Sequence, residues 1–112
     1  MTKLMILLLV IQVAIHAQNT VNIIPQPVAI QAADGYFTID ASTKVVFNRS
    51  DKKTATAVAF LVSAIKERSG IDLSKTKKGK KSITFYLQPN SELGSEGYLL
   101  NVTAKDIEIK AT

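Results

Sequence analysis

Cysteine is absent from this 112-residue chain, and histidine occurs once, at His16. Without cysteine the chain can form no disulfide framework, and metal binding is left to oxygen ligands. A serine nucleophile needs a base, and His16 lies in the amino-terminal segment that we expect to be removed on export. The mature chain therefore offers no imidazole. These absences exclude disulfide scaffolds, zinc sites and the serine or cysteine hydrolases that rely on histidine.

The first residues have the pattern of a secretory signal peptide. Lys3 provides a positive start, residues 4–15 are uncharged and almost wholly apolar, and Ala17 is a small residue at the expected cleavage position. A run of this length is well short of the roughly 20 residues that span a bilayer, although an uncleaved anchor is the alternative. We expect residues 1–17 to be the signal peptide and residues 18–112 to form one periplasmic or secreted domain.

Alternating apolar residues predict strands on both sides of one central helix. Before the helix, Val28 to Ile39 is predicted to form a hairpin about an Asp-Gly turn, and residues 44–48 are predicted to form a third strand. After the helix, residues 82–88 alternate in the manner of a strand, and residues 96–111 are predicted to form a closing hairpin.

Residues 51–69 change to helical spacing. Four apolar side chains share one helical face: Val58, Leu61, Val62 and Ile65. Ser50 or Asp51 is suited to cap the first turn, and Gly70 suits a left-handed stop. The predicted class is α+β, with a mixed, mainly antiparallel sheet of five or six strands and this helix on one face. One helix leaves part of the apolar face open, which indicates a missing partner.

Five lysines crowd into residues 75–81: Lys75, Lys77, Lys78, Lys80 and Lys81. They repel one another and show no apolar periodicity, so the pattern predicts a solvated loop. A patch for nucleic acid or an anionic glycan is the alternative. No aromatic residue is interleaved to stack on a base or a sugar, which argues against that alternative.

No set of residues forms a recognisable catalytic or cofactor site. Asp106 and Glu108 share one face of a strand, where ordinary solvent exposure is favoured over a calcium site. The nine acidic residues are scattered over turns, caps and strand faces, and no two adjoin, so the paired carboxylates of a glycosidase are not indicated. No glycine-rich phosphate loop is present. We predict no catalytic residue, no cofactor and no metal ligand.

Five phrases in the chain carry a family resemblance: residues 23–28 (IIPQPV), 35–39 (GYFTI), 69–70 (SG), 96–102 (EGYLLNV) and 107–111 (IEIKA). In this order they resemble the amino-terminal domain of glycoside hydrolase family 20, the bacterial β-N-acetylhexosaminidases. The resemblance covers about residues 22–111. It implies a sheet-and-helix domain that packs against a following (β/α)₈ barrel in an exported enzyme.

In that family the barrel removes terminal N-acetylglucosamine or N-acetylgalactosamine by a retaining, substrate-assisted mechanism that uses an adjacent Asp-Glu pair. This sequence contains no Asp-Glu dipeptide, and it lacks the barrel and the second helix of the family's domain. We therefore expect a fragment that is inactive alone, whose partner is the barrel of the same chain. No nucleic-acid partner is expected, and no membrane partner after signal cleavage. The alternatives are a free-standing exported binding or adaptor module, or the front domain of another carbohydrate-active enzyme.

Overall fold

The computed structural model describes residues 22–76, 79–88 and 92–112. The predicted signal peptide, residues 1–17, lies outside these ranges. The chain divides into two units, residues 1–33 and residues 34–112. In the first unit, residues 22–33 contain no helix or strand, and the peptide bond between Ile24 and Pro25 is cis.

The second unit contains every helix and strand of the described residues. In chain order these are β1 (Lys44–Val46), α1 (Lys52–Ser69), β2 (Ser74–Thr76), β3 (Ser82–Leu87), β4 (Tyr98–Val102) and β5 (Asp106–Ala111). The strands form one sheet in the order β2-β1-β3-β5-β4. The α+β class is confirmed, as is a mixed sheet of five strands with one helix.

The strands pair mainly in parallel, whereas the sequence predicted a mainly antiparallel sheet. β1 is parallel to both β2 and β3, and β3 is parallel to β5, so that only β4 and β5 pair antiparallel among the described strands. The reason lies in the connections. Helix α1 returns the chain to the end of the sheet where β1 began, which makes the next strand parallel. β4 then takes the outer position, so that β5 lies beside β3.

The hairpin predicted between Val28 and Ile39 is wrong, because no strand lies among residues 22–43. Pro25 and Pro27, just before it, have no N–H to donate to a β ladder. Phe37 and Ile39 nevertheless pack against the core at alternate positions. The alternation therefore predicted two inward-facing side chains correctly but did not produce a paired strand.

Helix α1 has the limits that its capping residues predict. Asp51 is extended at the N-cap, and its carboxylate accepts hydrogen bonds from the backbone N–H of Lys53, at 3.0 Å, and from the Thr54 hydroxyl. Gly70 adopts a φ of 74° at the C-cap, where its N–H donates to the Lys66 carbonyl at 2.8 Å. Over the described ranges, no helix has the apolar length that a membrane crossing requires.

The core lies between α1 and the middle of the sheet. Its fully buried apolar residues are Val45, Val58, Leu73 and Ile83. Partly buried residues surround them, including the three other members of the predicted helix face: Leu61, Val62 and Ile65. The 3.6-residue spacing thus identified the buried side of α1 correctly.

Asp40 ties the segment before β1 to the start of β3. Its carboxylate pairs with the Lys81 ammonium, and it accepts hydrogen bonds from the backbone N–H of Ser42, at 2.8 Å, and from its hydroxyl, at 2.6 Å. The Lys81 ammonium also lies 5.6 Å from the centre of the Phe37 ring. The hydrogen bonds from Lys81 and Ser42 hold the pKa of Asp40 well below its usual range.

Candidate docking face

The side chains of the β4–β5 hairpin divide between a helix side and an open side. Ile109 of β5 pairs with Leu100 of β4, and Ile107 pairs with Val102. Residues directly opposite in an antiparallel pair project from the same face. Because Ile107 and Ile109 pack against the core, Leu100 and Val102 lie on the helix side of the sheet. Tyr98, two residues before Leu100, shares that side.

These three residues of β4 are only half covered. Tyr98, Leu100 and Val102 are 47%, 45% and 49% exposed, whereas Val45 and Ile83 beneath α1 are 0% and 3% exposed. A helix with its side chains is about 10 Å wide and neighbouring strands lie about 4.8 Å apart, so one helix covers roughly two or three strands. We call Tyr98, Leu100 and Val102 the docking face.

Covering the docking face would be favourable. Complete burial of an aliphatic or aromatic side chain is worth roughly 1.5–3 kcal/mol, so finishing the burial of three half-exposed side chains gains about 3 kcal/mol. That gain is large compared with the net stability of a domain of this size, which is about 5–10 kcal/mol. The helix side therefore favours a partner that lies beside α1 over β4 and β5.

The opposite side of the sheet is mostly polar, and its one half-exposed aliphatic residue on β4 is Leu99, 48% exposed. Thr84, Glu108 and Asn101 form one row across β3, β5 and β4. In the next row the Lys110 ammonium lies 5.7 Å from the centre of the Tyr86 ring and 3.9 Å from a Glu108 carboxylate oxygen. A sheet with one apolar and one polar face is solvated on the polar face.

Asp106 and Glu108 lie on this polar side, as the sequence predicts. Asp106 accepts a hydrogen bond from the Ser82 hydroxyl at 3.2 Å, and Glu108 faces Lys110. No group of three or more His, Asp or Glu residues comes together as a metal site anywhere in the described part of the chain. The arrangement of these carboxylates is that of hydrogen-bonding and ion-pairing groups on a solvated sheet.

Two of the five lysines of residues 75–81 do not lie in the solvated loop that their charge predicts. Lys75 belongs to strand β2, and Lys81 is paired with Asp40. Lys80 is exposed, while Lys77 and Lys78 lie outside the described residues. Strand β2 was missed because Ser74–Thr76 has no apolar residue to alternate. Its only signal is the buried Leu73 that precedes it.

An apolar groove of about 250 Å³ lies at the carboxyl end of α1, and sequence reasoning did not predict it. Its walls come from the segment before β1, from the last turns of the helix and from the residue after its cap: Ile39, Ala64, Ile65, Arg68, Ser69 and Ile71. Ala64 is the one sequence signal for it, because a small residue lets neighbouring segments approach the helix. The groove presents one charged group, Arg68, and no convergent polar set.

Fold and surface together define a class of protein. A small α+β unit with one helix, a solvated polar face and a half-covered apolar face is suited to pack beside another part of a larger protein.

Comparison with known proteins gives the family. Residues 20–112 match the family described as glycosyl hydrolase family 20, domain 2. The chain belongs to glycoside hydrolase family 20, as the five phrases of its sequence indicate. No curated protein sequence is significantly similar to the chain.

Solved structures agree with this assignment. The chain resembles an exo-β-N-acetylglucosaminidase of the family from Vibrio harveyi, crystallised with N-acetylglucosamine, with 29% identity and a TM-score of 0.65 over 78% of this chain and 13% of that chain. A β-N-acetylhexosaminidase of the family from Streptomyces coelicolor A3(2) has the same fold, with 21% identity and a TM-score of 0.69 over 78% of this chain and 17% of that chain. The chain thus spans less than a fifth of the length of either enzyme.

Proposed function

We propose that this chain is a non-catalytic domain of a secreted β-N-acetylhexosaminidase. The parent enzyme removes terminal N-acetylglucosamine or N-acetylgalactosamine from glycans by a retaining mechanism that uses the substrate's own acetamido group. One observation carries the proposal: residues 20–112 match domain 2 of the family, and a Vibrio harveyi exo-β-N-acetylglucosaminidase contains the same fold as 13% of its chain.

The charged residues support a role without acid/base chemistry. A glycosidase general acid needs a raised pKa so that it holds its proton near neutral pH. Here the hydrogen bond from Lys81 lowers the pKa of Asp40, and the hydrogen bond from Thr54 lowers the pKa of Asp51. Asp72 forms an ion pair with Lys66 at 2.8 Å. Each of these carboxylates therefore has a structural partner.

The domain contributes packing instead. Its docking face of Tyr98, Leu100 and Val102 lies against the part of the parent chain that completes the cover of the sheet and leads to the catalytic barrel. The polar side of the sheet then faces solvent. In this arrangement the domain supports the position of the barrel, and the barrel alone holds the Asp-Glu pair that orients the acetamido group and protonates the leaving oxygen.

A hydrolysis assay tests whether this chain is non-catalytic. The purified chain, incubated with a chromogenic N-acetylglucosaminide, is expected to release no chromophore above a blank. A hexosaminidase of the family at the same molar concentration serves as the positive control. Turnover by this chain that survives repurification would contradict the proposal, because it requires an acid and a substrate pocket that the proposal does not assign to it.

A further inference from the structure

Strand β4 lies at one edge of the sheet, and half of its backbone groups point away from β5. Thr103, directly after β4, donates its N–H to the Asp106 carbonyl at 2.8 Å, in the register of the β4–β5 pair. Successive residues of a strand point their N–H and C=O groups to opposite sides, so every second residue counted back from Thr103 bonds to β5. The residues between them point these groups outward: Tyr98, Leu100 and Val102. We call this side of β4 the outer edge, and no strand of the described residues pairs with it.

The outer edge of β4 lacks the features that keep edge strands from pairing. Within β4 there is no proline and no charged residue, and its register with β5 is continuous from Tyr98 to Val102. The strand at the other edge of the sheet, β2, is three residues long and carries the exposed Lys75. Short length and lysine both protect an edge strand, whereas an uncharged, regular edge strand is a template for another strand. Of the two edges, β4 is therefore the one suited to pair.

We propose that the outer edge of β4 pairs with β4 of a second copy of this chain, antiparallel and about a two-fold axis at Leu100. In this register Tyr98 lies opposite Val102 of the second copy, and each Leu100 lies opposite the other. All three positions present outward-pointing backbone groups, so the two strands form about six hydrogen bonds. A two-fold interface uses the same patch on both copies, and it closes at two copies because each β4 has one outer edge.

The side chains and flanking charges fit this register. Residues opposite in an antiparallel pair project from the same face, so Tyr98, Leu100 and Val102 of both copies meet on the helix side of the sheet. A shift by one residue would set them opposite residues whose N–H and C=O groups face β5. Exposed charges flank the strand, Glu96 before it and Lys105 after it. Antiparallel pairing brings the end with Glu96 to the end with Lys105, whereas parallel pairing would bring like charges together.

The outer edge and the docking face use different groups. Pairing uses backbone groups in the plane of the sheet, whereas the docking face presents side chains above that plane, so the pairing does not rest on the proposed function. An interface of two five-residue strands is smaller than the roughly 1,200 Å² at which stable complexes begin. We therefore expect a weak dimer, with a dissociation constant on the order of 0.1 mM.

Sedimentation equilibrium of the unchanged chain between about 10 µM and about 1 mM tests the pairing. We expect a reversible equilibrium between monomer and dimer. Leu100→Lys and Leu100→Glu each place a charge opposite its own copy at the two-fold axis, so each should weaken the dimer at least about tenfold. An equal mixture of the two variants should recover a heterodimer, because opposite charges then face each other across the axis.

Phe60→Lys and Phe60→Glu are the matched variants. Phe60 lies on α1 and is 78% exposed, so these changes remove an exposed apolar side chain and alter the net charge in the same way. They should change the dissociation constant less than about twofold. Equal losses in the Leu100 and Phe60 variants would overturn the proposal, since association would then follow exposed apolar surface in general. A mixture of the Leu100 variants that associates no better than either one alone would overturn it as well.

Amide hydrogen exchange of the unchanged chain gives a second readout that does not depend on variants folding. The outward-pointing amides of Tyr98, Leu100 and Val102 should exchange more slowly as the protein concentration rises. The amides of Leu99 and Asn101 bond to β5 and should be protected at every concentration.

Three results would contradict pairing at the outer edge. They are a chain that stays monomeric up to about 1 mM, a chain that grows into open-ended oligomers, and exchange at Tyr98, Leu100 and Val102 that does not depend on concentration. None of these readouts involves hydrolysis, so the proposed function can fail separately.

Discussion

At the scale of single residues, Asp40 illustrates how one carboxylate organises a segment without regular secondary structure. It joins the Ser42 turn, the Lys81 ammonium and, through Lys81, the Phe37 ring. The sequence could not predict this contact, because residues 40 and 81 are brought together only by the β2–β1–β3 order. A pairing between two ordinary surface residue types carries no local signal.

Replacing Asp40 by Asn should lower the midpoint of thermal unfolding at neutral pH. The folded-state pKa of Asp40 is lowered, so its stabilising contribution is present above the unfolded pKa of about 3.9 and is lost as the pH falls toward the folded value. The difference between the unchanged chain and Asp40→Asn should therefore be constant from about pH 5 to 8 and should shrink below about pH 4.

Asp34→Asn provides the matched control, because Asp34 is exposed and lies just six residues earlier. Melting curves followed by circular dichroism across this pH range make the comparison. A gap between the Asp40→Asn variant and the unchanged chain that stays the same at pH 3, or that widens on acidification, would show that the ion pair with Lys81 does not stabilise the fold.

At the scale of elements, the sequence predicted those features correctly that depend only on neighbouring residues along the chain. Asp51 and Gly70 mark the ends of α1, and the closing hairpin has the β4–β5 pairing that residues 96–111 indicate. Strand direction was not predictable in this way. β5 lies beside β3, and parallel to it, only because β4 takes the edge of the sheet. Packing under α1 decides which strand takes the edge, and the spacing of apolar residues does not.

The sequence predicted that some apolar surface of the sheet would stay open, but it did not predict which residues form the docking face. The composition of one helix and several strands predicted that some apolar surface would stay open, and the structure locates it at Tyr98, Leu100 and Val102. The location follows from sheet order, since β5 separates β4 from β3, and the most buried strand side chains, Val45 and Ile83, belong to β1 and β3. Sequence alone gives the alternation of β4 but not its distance from the helix.

Substituting Tyr98 and Leu100 together by Thr should lower the free energy of unfolding of this chain by at most about 1 kcal/mol per residue. Threonine keeps the strand propensity, and the two side chains are already half exposed. Self-association in gel filtration should decrease, because exposed apolar surface has been removed.

Val58→Ala is the contrasting variant, since Val58 is completely buried under the sheet. It should cost about 2 kcal/mol in chemical denaturation. If the double threonine variant is destabilised more strongly than Val58→Ala, the docking face is covered within this chain, and its assignment as a surface for another segment is wrong.

At the scale of the whole molecule, three features support the proposal of a supporting domain. The family match covers residues 20–112, the helix side of the sheet is half open at β4, and the polar side is solvated. The chain covers only 13% and 17% of the two enzymes that it resembles. The signal peptide at residues 1–17 and export of the protein remain predictions from the sequence.

The DNA sequence that follows the codon for Thr112 tests whether this chain is a domain of a β-N-acetylhexosaminidase. If the chain is part of such an enzyme, the open reading frame continues into an amphipathic helix rich in small residues, able to cover Tyr98, Leu100 and Val102, and then into a barrel that contains an adjacent Asp-Glu pair. A stop codon at that point, together with a purified chain that is folded and monomeric, would contradict the proposed function and favour a free-standing binding module.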